Sequence, residues 1–136
     1  MTGVSVTMTK LVSYFFGSLI LCGLFLASSA HAGEADVLKV RAKCKDDNTC
    51  RFSVRVRHRD KGWNHYADRW EVLSLDREIL ATRVLAHPHV DEQPFTRSLT
   101  VEIAPEHKSV IFRAHDSEHG YGGEEMTVLI RKEATE

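Results

Sequence analysis

An all-β fold, an antiparallel sandwich of about seven strands, is the architecture this sequence predicts, and three observations predict it. Apolar and polar residues alternate with a period of two in segment after segment between residues 38 and 132. Turn-forming residues interrupt these segments at short intervals. Beyond residue 32 no stretch sustains a helical period.

The first element, residues 38–44, alternates Leu38, Val40, Ala42 and Cys44 with Lys39, Arg41 and Lys43. The second, 51–59, alternates Phe52, Val54 and Val56 with Arg51, Arg55, Arg57 and Arg59, and the polar run Lys45-Asp46-Asp47-Asn48-Thr49 makes a hairpin of the two. Its tip is flanked by Cys44 and Cys50, which in an oxidising compartment form a disulfide; a two-thiolate metal or redox site wants the tighter Cys-x-x-Cys spacing. The basic outer face of the hairpin reads as a solvated surface that discourages edge pairing, with an anionic surface or partner as the alternative. Further strands are expected at 70–75, 79–86, 95–103, 109–115 and 125–132, separated by turns at 76–78 and 104–108. With Trp70 on the third strand packed in the core, the sandwich is expected to be immunoglobulin-like or fibronectin-like.

Residues 1–32 read as a secretory signal peptide. Lys10 is their single charge, an apolar run follows over 11–27, and Ala30-His31-Ala32 has the small-x-small form that signal peptidase cleaves, so the mature chain is expected to be one β-sandwich domain over 33–136. Cleavage before His31 ranks second, since Ser28 and Ala30 satisfy the same rule; it would leave an N-terminal histidine able to chelate copper through its amine and ring together. An uncleaved anchor is the other alternative, though the run is barely long enough to span. Cys22 follows the bulky Leu21 where lipid attachment wants a small residue, so a soluble periplasmic or secreted product with no membrane span after processing is expected. The 136 residues carry 18 Lys and Arg, 19 Asp and Glu and eight His; without Lys10 and His31 the remaining 104 have a formal charge of −2 and seven histidines. Near-neutral charge argues against a nucleic-acid partner.

If successive strands are antiparallel, their connections alternate between the two ends of the sandwich. The disulfide turn and the turns at 76–78 and 104–108 then share one end, and the connections near 58–68, 87–94 and 115–123 share the other. Those last three hold 28 of the 104 residues but six of the seven histidines: His58, His65, His87, His89, His115 and His119. Imidazole is the commonest metal ligand, and converging rings suit Zn(II), Cu(II) or Fe(II). Proline in His87-Pro88-His89 favours an extended backbone that aims both rings to one side, and His115 and His119 bracket a glycine-rich loop. One transition metal ion is therefore expected on His65, His87, His89, His115 and His119, with His58, Asp68, Asp91 and Asp116 orienting the ligands from behind. The alternative is a metal-free network in which His-Asp and His-backbone hydrogen bonds organise the loops. Neither mature cysteine lies at this end and Met126 is the only mature methionine, which argues against a blue-copper or Met-rich Cu(I) site. Trp63, Tyr66 and Tyr121 offer the same loops a way to bind a sugar, peptide or protein. Arg69, Arg83 and Arg97 read as surface or cross-strand pairs rather than anion ligands.

Three motifs carry a resemblance: Gly62-Trp63-Asn64-His65-Tyr66-Ala67-Asp68-Arg69-Trp70, His87-Pro88-His89-Val90-Asp91-Glu92-Gln93-Pro94-Phe95-Thr96-Arg97-Ser98-Leu99, and Arg113-Ala114-His115-Asp116 with His119-Gly120-Tyr121-Gly122-Gly123. They resemble those of a small family of uncharacterised exported bacterial proteins of immunoglobulin-like type, over nearly the whole mature chain. A fainter similarity is to the superoxide reductases, immunoglobulin-like proteins that hold a mononuclear iron by four histidines and one cysteine from loops at one end. His58, His65 and Trp70 echo the first part of that pattern and His119-Gly120 the last. No cysteine stands where the axial thiolate belongs, the early spacing differs, and His115 lies one residue further from His119. The resemblance thus implies a geometry and not the activity, because the thiolate tunes the iron.

The function expected from these readings is that of a periplasmic metal-binding, metal-handling domain rather than a catalyst. A metal-free adaptor for a periplasmic protein or small ligand is the runner-up, and a redox metalloprotein with an open coordination position comes third. No Ser-His-Asp arrangement with a nucleophile motif and no phosphate-cradling glycine loop is present.

Overall fold

Each of the seven expected strands forms: β1 Asp36–Cys44, β2 Thr49–Arg57, β3 Ala67–Leu73, β4 Ile79–Val84, β5 Phe95–Glu102, β6 Ser109–Asp116 and β7 Met126–Leu129. They are seen in a computed structural model that describes residues 33–133, with Gly3 besides. Apart from Gly3 the leader lies outside the described residues, as do the residues 28–32 that define both candidate cleavage sites.

The strands make two antiparallel sheets, β1-β2-β5 and β4-β3-β6-β7. In a constant-type immunoglobulin domain the fourth strand belongs with the first, second and fifth; here β4 pairs with β3 instead. The reason is local. Ser74 N–H donates to Glu78 O and Arg77 N–H to Ser74 O, both at 2.9 Å, and a turn this tight leaves β4 no reach beyond its predecessor.

Alternation places the core between the sheets. From β2 come Phe52, Val54 and Val56, from β3 Trp70 and Val72, and from β6 Val110 and Phe112, all fully buried. Phe52 meets Phe112 edge to face at 5.0 Å between ring centroids, which is the preferred aromatic geometry. The opposite parity of the hairpin gives the basic face: Arg41, Lys43, Arg51, Arg55 and Arg57 are exposed. Arg83 donates to Ser98 O and Arg97 pairs with Glu92, as surface and cross-strand arginines do.

At one end Cys44 and Cys50, opposite each other in register, form the disulfide. Ile103 N–H donates to Asn48 O there, bringing the β5–β6 turn to the hairpin tip. The connections β2–β3, β4–β5 and β6–β7 therefore meet at the other end, along with the segment that enters β1. That segment is held firmly: Val37 N–H donates to Glu124 O at 2.8 Å, and Glu124 N–H to Asp36 Oδ1 at 2.9 Å. Gly123 permits the approach, since a Cβ there would stand 2.0 Å from the Ala35 carbonyl oxygen.

A Phe52→Ala substitution empties the centre of this core and is expected to cost about 3–5 kcal/mol of unfolding free energy. Leu75→Ala, at a position 61% exposed, is expected to stay within about 0.5 kcal/mol. Urea unfolding followed by tryptophan fluorescence measures both.

Candidate metal centre

The inward parity of β2 continues past its last ladder residue, so that after Phe52, Val54 and Val56 both His58 and Asp60 point into the sandwich, and both are buried. On β6 the same rule turns Phe112, Ala114 and Asp116 inward and His115 outward. His65 reaches in from the β2–β3 connection and is buried, its loop closed by hydrogen bonds from Lys61 N–H to His65 O and from His65 N–H to Gly62 O. His119 arrives on a tight turn in which Asp116 and Gly120 exchange backbone hydrogen bonds at 2.9 Å; Gly120 takes φ +78° there.

These residues converge on one atom. Asp116 Oδ2 lies 2.9 Å from His58 Nε2, 3.0 Å from His65 Nε2 and 3.0 Å from His119 Nδ1. Asp116 Oδ1 accepts from the backbone N–H of Glu118 and of His119, at 2.7 and 2.8 Å. The carboxylate itself is fully buried. Ligand atoms of His58, His65 and Asp116 all lie within 4.8 Å of one another, and His119 joins them through the shared oxygen.

Counting donors and lone pairs tests whether hydrogen bonds alone explain this arrangement. A carboxylate offers about four lone-pair sites, two on each oxygen. Asp116 faces five nitrogens, three of them at Oδ2. His58 sharpens the count, because its Nδ1 lies 2.5 Å from Asp60 Oδ1, and an N–H at that nitrogen leaves Nε2 of a neutral ring with a lone pair. That lone pair would face Asp116 Oδ2 and Gly33 O, each at 2.9 Å. Two oxygens and a nitrogen lone pair at this separation need a proton or a cation between them. Donors bound at about 2.0–2.2 Å to one ion stand about 3 Å apart or somewhat more, so His58, His65 and Asp116 could hold a Zn(II), Cu(II) or Fe(II) ion.

Asp60 holds the group from behind. Besides His58 Nδ1, its buried carboxylate accepts from Ala67 N–H at 3.0 Å and from His89 N–H at 2.6 Å, tying the start of β3 and the β4–β5 connection to one ligand. Gln93 assists, its Oε1 accepting from His58 N–H and its Nε2 donating to His89 O, each at 3.0 Å.

The other histidines expected as ligands stand elsewhere. The His89 side chain is 2% exposed and stacks on Phe95 at 3.9 Å, with neither ring nitrogen hydrogen-bonded; its Nδ1 is 3.9 Å from Asp60 Oδ2. His87 is exposed and packs on the His89 ring at 4.6 Å. His115, sent to the outer face, bonds Asp68 Oδ1 through Nδ1 at 2.6 Å and rests edge-on against Tyr121. Asp91 is exposed on the β4–β5 connection. Beside His115 lies a second polar group: Glu71, buried, accepts from Arg69, Arg113 and the Tyr121 hydroxyl. It is a cross-strand network without an unpaired member.

Asp60 and Gly33 had no place in the sequence reading. Asp60 was accessible to it, being two residues beyond His58 on the same inward parity; Gly33 acts through its backbone, which leaves no trace in residue type.

The electrostatics follow from the geometry. Burial alone would raise the Asp116 carboxyl, but hydrogen bonds from the His119 backbone and ring, His65 and the Glu118 backbone outweigh it and hold the group far below the usual range. The hydrogen bond to Asp116 raises His119, against some burial. His89 is lowered, chiefly by burial and then by the charges of Arg97 and His87. In the metal-free chain the Asp116 contribution to stability is thus present above about pH 4 and lost as pH falls through its folded value. That of His119 is present below about pH 6.5 and lost as pH rises through its folded value. His89 works in the opposite sense, costing stability once pH drops below about 6.5. An NMR titration of the metal-free protein is expected to show His119 titrating above about 6.5 and His89 below it, with Asp116→Asn removing the upward shift.

No protein-family model matches the sequence. A protein described as "Putative lipoprotein" from Halomicrobium mukohataei is 40% identical over 102 residues, 75% of this chain and 50% of that protein. The chain thus spans about half the length of the curated relative it matches. Two solved structures of superoxide reductase (neelaredoxin) from Ignicoccus hospitalis, one of them a variant, each superpose with a TM-score of 0.51. Identity is 17% in one case, covering 77% of this chain and 86% of that one, and 16% in the other, covering 79% and 89%. The chain shares its sandwich fold with these two proteins.

Proposed function

We propose that this chain is an exported, single-domain protein over 33–136 that binds one transition metal ion, Zn(II), Cu(II) or Fe(II), at the histidine pole of its sandwich, and that it holds or hands on that ion in the periplasm. The observation that carries the reading is the convergence of three imidazole nitrogens on the buried Asp116 Oδ2, one of them on a His58 ring whose other nitrogen faces Asp60. His58, His65, His119 and Asp116 are the ligands in this reading. Asp60 orients His58, Asp68 restrains His115, and His87, His89 and Asp91 lie outside the shell.

Export is supported by the leader-like residues 1–32, by the Cys44–Cys50 disulfide, which suits an oxidising compartment, and by the description of the relative as a lipoprotein. Among the described residues no helix is long and apolar enough to cross a membrane. The donor set is nitrogen and oxygen throughout, which suits these three ions and not Cu(I). A second reading, a metal-free adaptor for a periplasmic protein, rests on Trp63, which is 67% exposed beside Tyr66 on the β2–β3 connection.

The test is elemental analysis of the untagged protein purified from the envelope, followed by titration with each of the three ions against a competing chelator. About one equivalent of metal is expected. His65→Ala/His119→Ala should abolish it, Asp60→Asn should weaken it by about 10- to 100-fold, and His87→Ala should leave it unchanged. Failure of the native protein to take up any of the three ions would overturn the metal reading and leave the adaptor.

A further inference from the structure

Gly33 lies at the centre just described. Its carbonyl oxygen is 2.9 Å from His58 Nε2. A Cβ at residue 33 would stand 3.0 Å from His119 Cε1 and 3.3 Å from Nδ1, so the main chain passes directly against that ring. The segment has no freedom to drift away: Ala35 is buried, its carbonyl is pressed against Gly123, and Val37 is bonded to Glu124. An ion lying between His58 Nε2 and Asp116 Oδ2 would therefore meet Gly33 O as a further oxygen donor.

The sequence places the expected cleavage bond immediately before this residue, after Ala30-His31-Ala32. In the uncleaved chain the Gly33 nitrogen is an amide whose lone pair is delocalised into the neighbouring carbonyl, which makes it a poor ligand. Hydrolysis of the Ala32–Gly33 bond by one water releases a carboxylate on Ala32 and an α-amine on Gly33. Such an amine is a good donor, and with the carbonyl oxygen of the same residue it closes a five-membered ring on a metal ion. We infer that the backbone of Gly33 completes the metal centre, through its carbonyl oxygen and the α-amine that signal-peptide cleavage exposes, so that the site reaches full affinity only in the processed protein. The inference rests on the metal reading above and adds to it a control by maturation. A chain that gains its last donor outside the cytoplasm is loaded from the metal pool of that compartment, where availability rather than intrinsic affinity selects the ion.

The experiment uses the full chain expressed with its own leader. The exported protein, shown by intact mass to begin at Gly33, is compared with two other forms: the same protein after N-terminal transamination with pyridoxal phosphate, which replaces the α-amine by a carbonyl, and an Ala30→Leu/Ala32→Leu precursor that resists cleavage. Cu(II) and Zn(II) affinities are measured by chelator competition, and near-ultraviolet circular dichroism verifies that all three share one fold. Both forms lacking the amine are expected to bind at least about tenfold more weakly than the processed protein. Equal affinity in all three overturns the inference while leaving the metal centre standing, as does a processed chain that begins at any residue other than Gly33. Absence of uptake in every form overturns the metal reading itself, and so is told apart from failure of the maturation step.

Discussion

A single buried carboxylate sets the terms for one end of this molecule. Asp116 is the last residue of β6 on the inward parity, where an apolar side chain would continue Phe112 and Ala114. A carboxylate withdrawn from water is costly unless charge and hydrogen bonds compensate it. The compensation comes from two separate stretches of chain: the β2–β3 connection, which supplies His58 and His65, and the turn from Glu118 to His119. Each of these segments must reach the end of β6 for the strand to close. The pole is thus ordered by polar attraction toward one point, while the rest of the sandwich is ordered by apolar burial between two sheets.

Asp60 carries this constraint outward. One oxygen serves His58 and Ala67, and the other serves the backbone of His89, so the same carboxylate that orients a ligand also fixes how β3 begins and how the β4–β5 connection lies. Supporting contacts of this kind set the direction and basicity of a ligating imidazole as much as the ligand's own rotamer does. The polar pole is therefore a connected network, in which disturbing Asp60 reaches His58 and through it Asp116. His89 shows the boundary of that network. It contributes its backbone N–H to the polar side and stacks its ring on Phe95 on the apolar side, where burial lowers its proton affinity.

The fold was legible in the sequence to a far greater degree than the site. Alternation marks every strand because each buries one face, and a period of two then leaves a repeated signature in residue type, as Phe52, Val54 and Val56 show. The pole was legible too, since parity of the connections is a property of any antiparallel order. The group that converges on Asp116 was not, for two physical reasons. His87-Pro88-His89 and the His115/His119 pair look like chelating motifs because their members are near in sequence, whereas His58 and His65, both on the β2–β3 connection, meet an Asp116 that lies more than 50 positions further on. The parity argument that found the pole also separates His115 from Asp116, since neighbours on a strand face opposite ways, and it turns Asp60 inward beside His58. Gly33 enters through a carbonyl that every residue possesses, which no reading of side chains detects.

The likeness to the superoxide reductases marks where fold ends and site begins. A TM-score of 0.51 to those proteins at 16–17% identity shows a common fold; which atoms the loops present is settled separately in each chain. Here both cysteines of the described residues are locked together at the opposite end, so the histidine pole has no thiolate to offer. Its one anionic donor is an oxygen, already surrounded by N–H groups that draw charge away from it and weaken it as an electron donor. An ion bound by His58, His65 and such a carboxylate would keep more of its positive charge than one facing a thiolate. The chemistry of the described residues at this end is thus that of a nitrogen and oxygen donor group that could hold a metal ion, on a fold shared with proteins named superoxide reductase.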